Sequence, residues 1–218
     1  MTRLVAFGCS HTYGETCSDR MQNCWPAQLA KKWQINFVNN GVNGASAKEI
    51  SNYILNYELH SNDIVIILWS HWTRSFRFDQ PRFWSKTKIK NSRNSQKTSR
   101  GLVGSRDFGL RNTYNLVWLR HLYNHFDNAF EAVSYQNLCY YELNGRNIKN
   151  YHFLVDEYQY GFIQEHFSWN VIPYDNSIFL TNYFDMFPLA GDKEHTDKEG
   201  YNHFTNLIST KLNNEVKV

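Results

Sequence analysis

The first third of the chain alternates between short apolar runs and longer amphipathic segments. Leu4 to Phe7 and Asp63 to Trp69 are almost wholly apolar, and the second run is rich in β-branched residues. Such runs are typical of strands that are buried on both faces of a parallel sheet. Ile35 to Val38 is a further short strand candidate between them.

Helical signals separate these strands. Pro26 suits the first turn of a helix, and the helix before the third strand begins with a capping-box sequence, Ser46 followed by Glu49. In that motif the serine accepts a hydrogen bond from one free N–H and the glutamate accepts from another. Apolar residues then recur from Ile50 to Tyr57 at the spacing of one buried helix face. Strands that alternate with helices predict an α/β fold with a parallel sheet.

The pattern is less regular in the second half of the chain. It predicts, in order, helical spacing from Tyr114 to about Phe126, a helix through Val133 and Leu138, strands at Tyr151–Val155 and Ser177–Leu180, and a last helix after a second capping box at Thr196–Glu199. We expect no internal repeat and a single domain over residues 1–218.

Composition narrows the class of protein. Hydrophobic residues make up 42% of the chain, enough for a sizeable core, and no apolar run approaches the ~20 residues of a membrane helix. We therefore expect no membrane association. The four cysteines form no Cys-x-x-Cys pair, which favours reduced thiols; with no leader-like pattern at residue 1, this predicts a cytoplasmic protein.

The positive charge is concentrated in one segment. Residues 83–111 carry eight basic residues and one acidic residue, whereas the net charge of the whole chain is only +3. The segment is polar and aperiodic, and we interpret it as an irregular insertion that is either a solvated loop or a lid. Contact with nucleic acid is a third reading, but the few aromatic residues nearby do not make a base-stacking platform.

Polar, glycine-bearing segments follow the predicted strands, where ligands bind to parallel sheets. They are residues 8–14, 39–46 and 70–74, and a fourth at 191–200 precedes the last helix. A serine becomes a nucleophile when a histidine takes its proton and a carboxylate orients that histidine. Ser10, His195 and Asp192 are the candidates for these roles, and the backbone N–H groups of Ser10 and Gly44 are candidate donors to an oxyanion.

These segments resemble the motifs of the SGNH hydrolases, also called GDSL-type esterases and lipases. The family's Gly-Asp-Ser-x-Thr-x-Gly block is matched by Gly8 to Gly14, its oxyanion glycine by Gly44, and its Asp-x-x-His block by Asp192 to His195. The resemblance implies a three-layer α/β/α sandwich around a five-stranded parallel sheet. It also implies Ser10 as nucleophile, His195 as base, Asp192 as the orienting acid, and no cofactor. The implied substrates are acyl esters, among them O-acetyl groups on carbohydrate.

The sequence departs from the family at two places. Cys9 replaces the first-block aspartate, and the third block, usually Gly-x-Asn-Asp, is replaced by "WSHWTR". By position His71 takes the place of the asparagine that donates to the oxyanion. Four further residues are candidates for binding substrate: His11, Tyr13, Ser70 and Arg74.

Other functions follow from the same residues. Because the third block is atypical, the chain is alternatively an SGNH-like binding module, of weak or no activity, for a glycan or a protein partner. A phosphate-binding loop at residues 8–14 lacks both the P-loop lysine and the dinucleotide glycine pattern. Asp192, His195 and His203 are the conceivable metal ligands, but no further ligand cluster accompanies them, and we expect no metal. The sequence leaves the oligomeric state open.

Overall fold

A computed structural model gives the architecture of residues 1–72, 124–174, 178–179 and 198–213, with the backbone of 75–77 and 101–103; we call these the described residues. They contain one parallel sheet of four strands in the order β2-β1-β3-β6. Its strands are β1 (Arg3–Gly8), β2 (Asn36–Gly41), β3 (Asp63–Trp69) and β6 (Lys149–Leu154). Two short strands, β4 (Ser75–Arg77) and β5 (Gly101–Val103), form a separate antiparallel pair.

Seven helices lie in the described residues. They are α1 (Ser10–Tyr13), α2 (Arg20–Asn23), α3 (Trp25–Trp33), α4 (Ala47–Asn56), α5 (His125–Gly145), α6 (Glu157–His166) and α7 (Lys198–Leu212).

Alternate residues of each central strand face opposite layers of helices. Val5 and Phe7 of β1 pack into a core that includes α4 and α5, whereas Leu4 and Ala6 pack into a second core with α3 and α7. Because both faces of β1 and β3 are covered, their residues are almost all buried. The three-layer α/β/α sandwich predicted from the sequence is therefore confirmed.

The register places the carboxyl ends of the four strands at one edge of the sheet. Gly8 at the end of β1 lies level with Gly41 of β2 and Leu68 of β3, and Trp69 lies level with Leu154 of β6. The segments that follow the four strands therefore leave the sheet together. We call this the carboxyl edge.

Several elements match the prediction closely, since their signals are local. The strand at Asp63–Trp69 has the predicted bounds, and the capping box before α4 is formed on both sides, because the Glu49 N–H donates to Ser46 Oγ and the Ser46 N–H donates to Glu49 Oε2.

Other elements differ from the prediction. The sequence predicted neither the single-turn helices α1 and α2 nor the helix α6. The helix predicted through Val133 and Leu138 is α5, which begins at His125, whereas residues 114–123 of the preceding predicted helix lie outside the described residues. Ile178 and Phe179 are buried without forming the expected strand. The resemblance implied five strands, and the parallel sheet of the described residues has four.

Some expectations fall outside the described residues. Apart from the backbone of 101–103, residues 83–111 lie there, so the insertion or lid stays a prediction, as does the single domain. A search of the described helices for a segment of membrane-spanning length and hydropathy finds none. Cys9, Cys17, Cys24 and Cys139 are free thiols.

Candidate active site

Ser10 lies in a tight helical turn directly after β1. Cys9 caps the turn, and its carbonyl accepts hydrogen bonds from the N–H groups of Thr12 and Tyr13 at 3.0 and 2.9 Å. The turn ends at Gly14, whose N–H donates to Ser10 O at 2.9 Å. Ser10 is thus the first residue of a helical turn at the carboxyl edge and is only 1% exposed, a position in which the backbone holds the side chain firmly.

This turn packs closely on the strands beneath it. A Cβ at Gly8 would overlap Thr12 Oγ1 and lie 2.8 Å from Leu68 O, so only glycine fits there. Asn39 links the turn to β2. Its Nδ2 donates to Thr12 O at 2.8 Å, and its Oδ1 accepts from the Gly41 N–H at 2.9 Å. The glycine that begins the serine block therefore has a packing role.

Gly44 lies in the loop that follows β2. Its φ of +74° is in the left-handed region that favours glycine. The loop is held on both sides of it, because the Val42 N–H donates to Gly8 O at 2.9 Å and Ser46 caps α4. The loop is thus tied directly to the end of β1, two residues before Ser10.

Ser70 and His71 follow β3 at the same edge. Ser70 is 1% exposed, and its carbonyl accepts a hydrogen bond from Gln159 Nε2 of α6 at 3.2 Å. The His71 side chain is about one quarter exposed, and its Nε2 lies 3.9 Å from Oδ2 of Asp156. That distance is too long for a direct hydrogen bond, and the two groups form an ion pair only when His71 is protonated.

Asp156 follows β6 and caps α6. Its Oδ1 accepts a hydrogen bond from the Gln159 N–H at 2.8 Å, which fixes the carboxylate while Oδ2 faces His71. Burial raises the pKa of Asp156, and the Gln159 hydrogen bond offsets this only in part. The result is a carboxyl group that holds its proton more readily than an exposed aspartate does.

Aromatic rings surround His71. Its ring is nearly parallel to that of Tyr158, with 12° between the planes and 6.4 Å between the ring centres, and its centre lies 4.8 Å from that of Trp72. Trp72 Nε1 donates to His125 Nε2 at 3.1 Å, and burial lowers the pKa of His125. The imidazole of His71 therefore lies among aromatic rings, and the neighbouring Tyr158 is half exposed.

The carboxyl edge also holds buried polar atoms that lack a hydrogen-bond partner among the described residues. Each strand contributes one from its last residues or from the segment after it: Thr12 Oγ1, Asn40 Nδ2, Ser70 Oγ and Gln159 Oε1. An unsatisfied buried polar group costs about 1–3 kcal/mol. Atoms of this kind also occur in the helical layers, at Trp25 Nε1 of α3 and Gln136 Nε2 of α5, so they are not confined to this edge.

Ser10, the Gly44 loop, Ser70 and His71 all follow strands that end at the carboxyl edge. His11 is buried in α1, and the Arg20 guanidinium lies 4.1 Å from the centre of the Tyr13 ring. Asp192, His195 and Arg74 lie outside the described residues, so the triad stays a prediction.

Sequence reasoning missed Asn40, Asp156 and Gln159 at this edge. Asp156 and Gln159 contact the segment after β3 only because the fold brings these distant segments together, and no sequence motif predicts them. Asn40 lies in a segment that the sequence did single out, one residue before the end of β2.

The described residues offer no metal centre at this site, and their cleft lies elsewhere. Among the described residues no group of three or more histidine, cysteine or acidic side chains could hold a metal ion; two of the conceivable ligands, Asp192 and His195, lie outside them. A polar cleft of about 580 Å³, lined by Lys31, Lys32 and Lys198, lies against helices α3 and α7. Its lining comes from the helical layer and not from the carboxyl edge, so we do not assign it to this site.

Comparison with known proteins supports the fold. The chain matches no protein-family model and no curated protein sequence. It is similar to a GDSL-like lipase from Bacteroides thetaiotaomicron (12% identity, TM-score 0.54, covering 98% of this chain and 89% of that one). It is also similar to an acetylxylan esterase from Geobacillus stearothermophilus, solved as a catalytic mutant (13%, 0.54, 96% and 93%). A third similar structure is a lipase from a goat rumen metagenome (9%, 0.59, 96% and 97%).

At these identities the likeness concerns the fold. The chain shares the α/β/α architecture of GDSL lipolytic proteins over almost its whole length. The resemblance drawn from three short motifs is thereby confirmed at the level of the fold.

Proposed function

We propose that the chain is a serine hydrolase that cleaves acyl esters. The observation that carries the proposal is the position of Ser10, in a capped turn at the carboxyl edge and joined to the Gly44 loop by the bond from Val42 to Gly8. The shared fold of esterases and lipases supports it. Asp192 and His195 are proposed as the other members of the triad.

The reaction would proceed in two steps. Ser10 Oγ attacks the acyl carbonyl while His195 takes the hydroxyl proton, and Asp192 holds the imidazole in the required tautomer. The ester C–O bond then breaks, the leaving alcohol receives that proton, and an acyl-serine remains. Water attacks this ester with His195 again as base, releasing the carboxylic acid and restoring the serine.

The developing oxyanion needs hydrogen-bond donors that are held in place before the reaction. We assign this role to the backbone N–H groups of Ser10 and Gly44 and to the side chain of His71. Gly44 is suited to it because a residue without a side chain allows close approach of a carbonyl. His71 takes the place of the family's asparagine.

For the substrate we propose a small acyl group on a carbohydrate, such as an O-acetyl sugar. The half-exposed Tyr158 ring beside His71 offers the flat apolar face on which a sugar ring packs. One of the similar structures is an acetylxylan esterase. The free thiols of all four cysteines support a reducing compartment such as the cytoplasm.

A fluorophosphonate probe tests the nucleophile. Wild-type protein should be labelled and Ser10→Ala should not. Ser134→Ala should be labelled like wild type, because Ser134 lies on α5 with its hydroxyl donating to Phe130 O. Hydrolysis of p-nitrophenyl acetate should fall at least 10³-fold in Ser10→Ala. His195→Ala should lose comparable activity and Asp192→Ala somewhat less.

The same experiment separates the two classes of function. A wild-type protein that never reacts with the probe would favour the binding module over the enzyme. Labelling that persists in Ser10→Ala would move the nucleophile elsewhere. Acetylated xylo-oligosaccharides compared with p-nitrophenyl esters of longer chains would then test the proposed substrate.

A further inference from the structure

Aromatic rings form a continuous strip on helices α5 and α6 and on the segment after α6. Phe162 lies between Tyr158 and Phe126, with ring centres 6.1 and 6.4 Å away. Phe167 lies between Phe126 and Phe130, at 5.3 and 6.2 Å, and Trp169 lies 5.4 Å from Phe130. Phe162 and Phe167 are partly or fully buried, whereas the other four side chains are between 42% and 58% exposed: Phe126, Phe130, Tyr158 and Trp169. We call these six residues the aromatic strip.

The strip begins at the carboxyl edge. Tyr158 is the second residue of α6, which follows β6, and its ring lies beside that of His71. In the sheet only β3 lies between β6 and β1, the strand that precedes Ser10. Neighbouring strands are about 4.8 Å apart, so the ends of β6 and β1 are about 10 Å apart. A ligand chain with its acyl group at Ser10 would therefore cross only the end of β3 before reaching Tyr158.

From Tyr158 the strip continues along α5. The first residue of that helix, His125, contacts Tyr158, so the first turn of α5 lies next to the carboxyl edge. Phe126 and Phe130 are four residues apart on one face of the helix, about 6 Å along its axis. The contacts thus connect the exposed rings in a row, which suits an elongated ligand.

The charge around the strip distinguishes between the possible ligands. Residues 124–145 and 150–174, which carry the strip, contain no lysine or arginine. Asp127, Glu157 and Glu165 are exposed on the same two helices. Membrane surfaces are anionic and attract basic residues, so this acidic margin disfavours a lipid surface. Acidic residues are also depleted at protein–protein interfaces.

A neutral sugar chain matches both parts of this surface. Its CH groups pack on flat aromatic faces, and its hydroxyl groups donate hydrogen bonds to carboxylates at the margin. An exposed apolar patch with a polar rim is typical of a ligand-binding groove.

We propose that the aromatic strip binds a neutral sugar chain that carries the acyl group, so that the substrate is an acylated oligosaccharide or polysaccharide and not a single sugar. The inference rests on the function proposed above, because it extends the substrate of that same site. The strip takes no part in bond cleavage. It binds sugar units remote from the ester and thereby lowers KM for long chains.

Replacing the rings by leucine tests the strip while keeping it apolar. Leucine at residue 130 or 169 still packs on Phe167 but has no flat face. In wild type, kcat/KM for acetylated xylohexaose should exceed that for acetylated xylose by about tenfold or more, and Phe130→Leu or Trp169→Leu should each remove about tenfold of this ratio through KM. Tyr141→Leu is the matched control, because Tyr141 is exposed near the other end of α5, and it should keep the wild-type ratio.

Calorimetry of Ser10→Ala measures binding without turnover. The ligands are unacetylated xylohexaose, cellohexaose and mannohexaose, of which at least one should bind. Its Kd should rise about tenfold when Phe130→Leu is added and should not change when Tyr141→Leu is added.

The outcomes separate the two proposals. If no hexasaccharide binds, or if Phe130→Leu and Trp169→Leu bind as tightly as the parent protein, the strip is not a sugar site, while Ser10-dependent labelling still supports the hydrolase. Self-association or binding to phosphatidylserine vesicles that is lost in Phe130→Leu, without hexasaccharide binding, also overturns the proposal. Hexasaccharide binding without Ser10-dependent labelling overturns the hydrolase, and with it the acylated substrate, in favour of the binding module.

Discussion

The two edges of one sheet use polar groups in opposite ways. At the amino edge, Asp63 at the start of β3 accepts two hydrogen bonds from the Arg3 guanidinium, at 2.7 and 2.9 Å, and a third from the His60 N–H at 2.8 Å. At the carboxyl edge, His71 and Asp156 stand 3.9 Å apart, and Ser70 Oγ has no hydrogen-bond partner among the described residues.

The difference separates stability from function. At the amino edge the buried Asp63 carboxylate has all its hydrogen-bond partners. This is expected of a buried polar group that only supports the fold. The carboxyl edge tolerates unsatisfied atoms, which cost folding free energy unless a ligand supplies partners. Removing polar groups should therefore weaken the fold at the first edge and weaken activity at the second.

The largest effect on stability is expected from Asp63→Asn. Removing the charge leaves Arg3 without its bidentate partner, and breaking a buried pair costs up to 3–5 kcal/mol; since Arg3 is partly exposed, we expect about 2–3 kcal/mol. Urea unfolding measures this change in the free energy of unfolding. Asp127→Asn, on the surface of α5, is the control and should change stability by less than ~0.5 kcal/mol.

The pH dependence of this pair has a definite sign. Burial alone would raise the pKa of Asp63, but the bonds from Arg3 and His60 outweigh it and lower the pKa. The stabilisation is thus present above the unfolded pKa and is lost as pH falls through the lower, folded pKa. Esterase activity of folded Asp63→Asn at neutral pH should equal that of wild type; a large loss would contradict the separation of the two edges.

A fully paired buried histidine sharpens the comparison with His71. Trp69 Nε1 can only donate, so His152 Nδ1, 3.0 Å away, must accept, and Nε2–H then donates to Asn150 Oδ1 at 3.0 Å. Burial lowers the pKa of His152 to about 3. This ring is neutral and has both nitrogens satisfied inside the sheet, whereas His71 has a carboxyl neighbour at an open edge.

The neutral state of His152 predicts acid sensitivity. Its folded pKa lies below the unfolded value, so the unfolded state binds more protons and stability falls as pH drops below about 6.5. Protonation of this histidine in the unfolded state should lower the free energy of unfolding by ~2 kcal/mol between pH 7 and pH 5. His152→Gln should flatten that slope in urea unfolding at several pH values, and His166→Gln on α6 should not; an equal slope in wild type and His152→Gln would contradict the assignment.

The sequence predicted the elements whose signals are local. The apolar run at Asp63–Trp69 and the capping box at Ser46 each carry enough information within one segment to define a strand and a helix start. Helix α6 lacks an apolar stripe and contains Gly161, so periodicity does not reveal it; its start depends on the Asp156 cap. The single turn α1 depends on contacts with β2 that only the fold creates.

The candidate site divides in the same way. Ser10 and Gly44 were found because motifs place them at strand ends, and the register of the sheet brings those ends together. Asp156 was not found, because its pairing with His71 joins segments 85 residues apart in the chain. Contacts of that kind follow from strand order, which hydropathy alone does not fix.

The smallest expected effect on stability comes from comparing two buried hydroxyl groups, one with a hydrogen-bond partner and one without. Ser70 and Ser51 are both 1% exposed, but Ser51 Oγ donates to Ala47 O at 2.8 Å, whereas Ser70 Oγ has no partner in the described part of the chain. Ser51→Ala should therefore destabilise by about 1 kcal/mol. Ser70→Ala removes an unsatisfied hydroxyl and should leave stability unchanged or raise it by up to ~1 kcal/mol.

If the hydroxyl serves the substrate, the same variant should lower kcat/KM for p-nitrophenyl acetate. If Ser70→Ala were as destabilised as Ser51→Ala, the carboxyl edge would be an ordinary part of the core, because removing a hydroxyl lowers stability only when that hydroxyl is hydrogen-bonded.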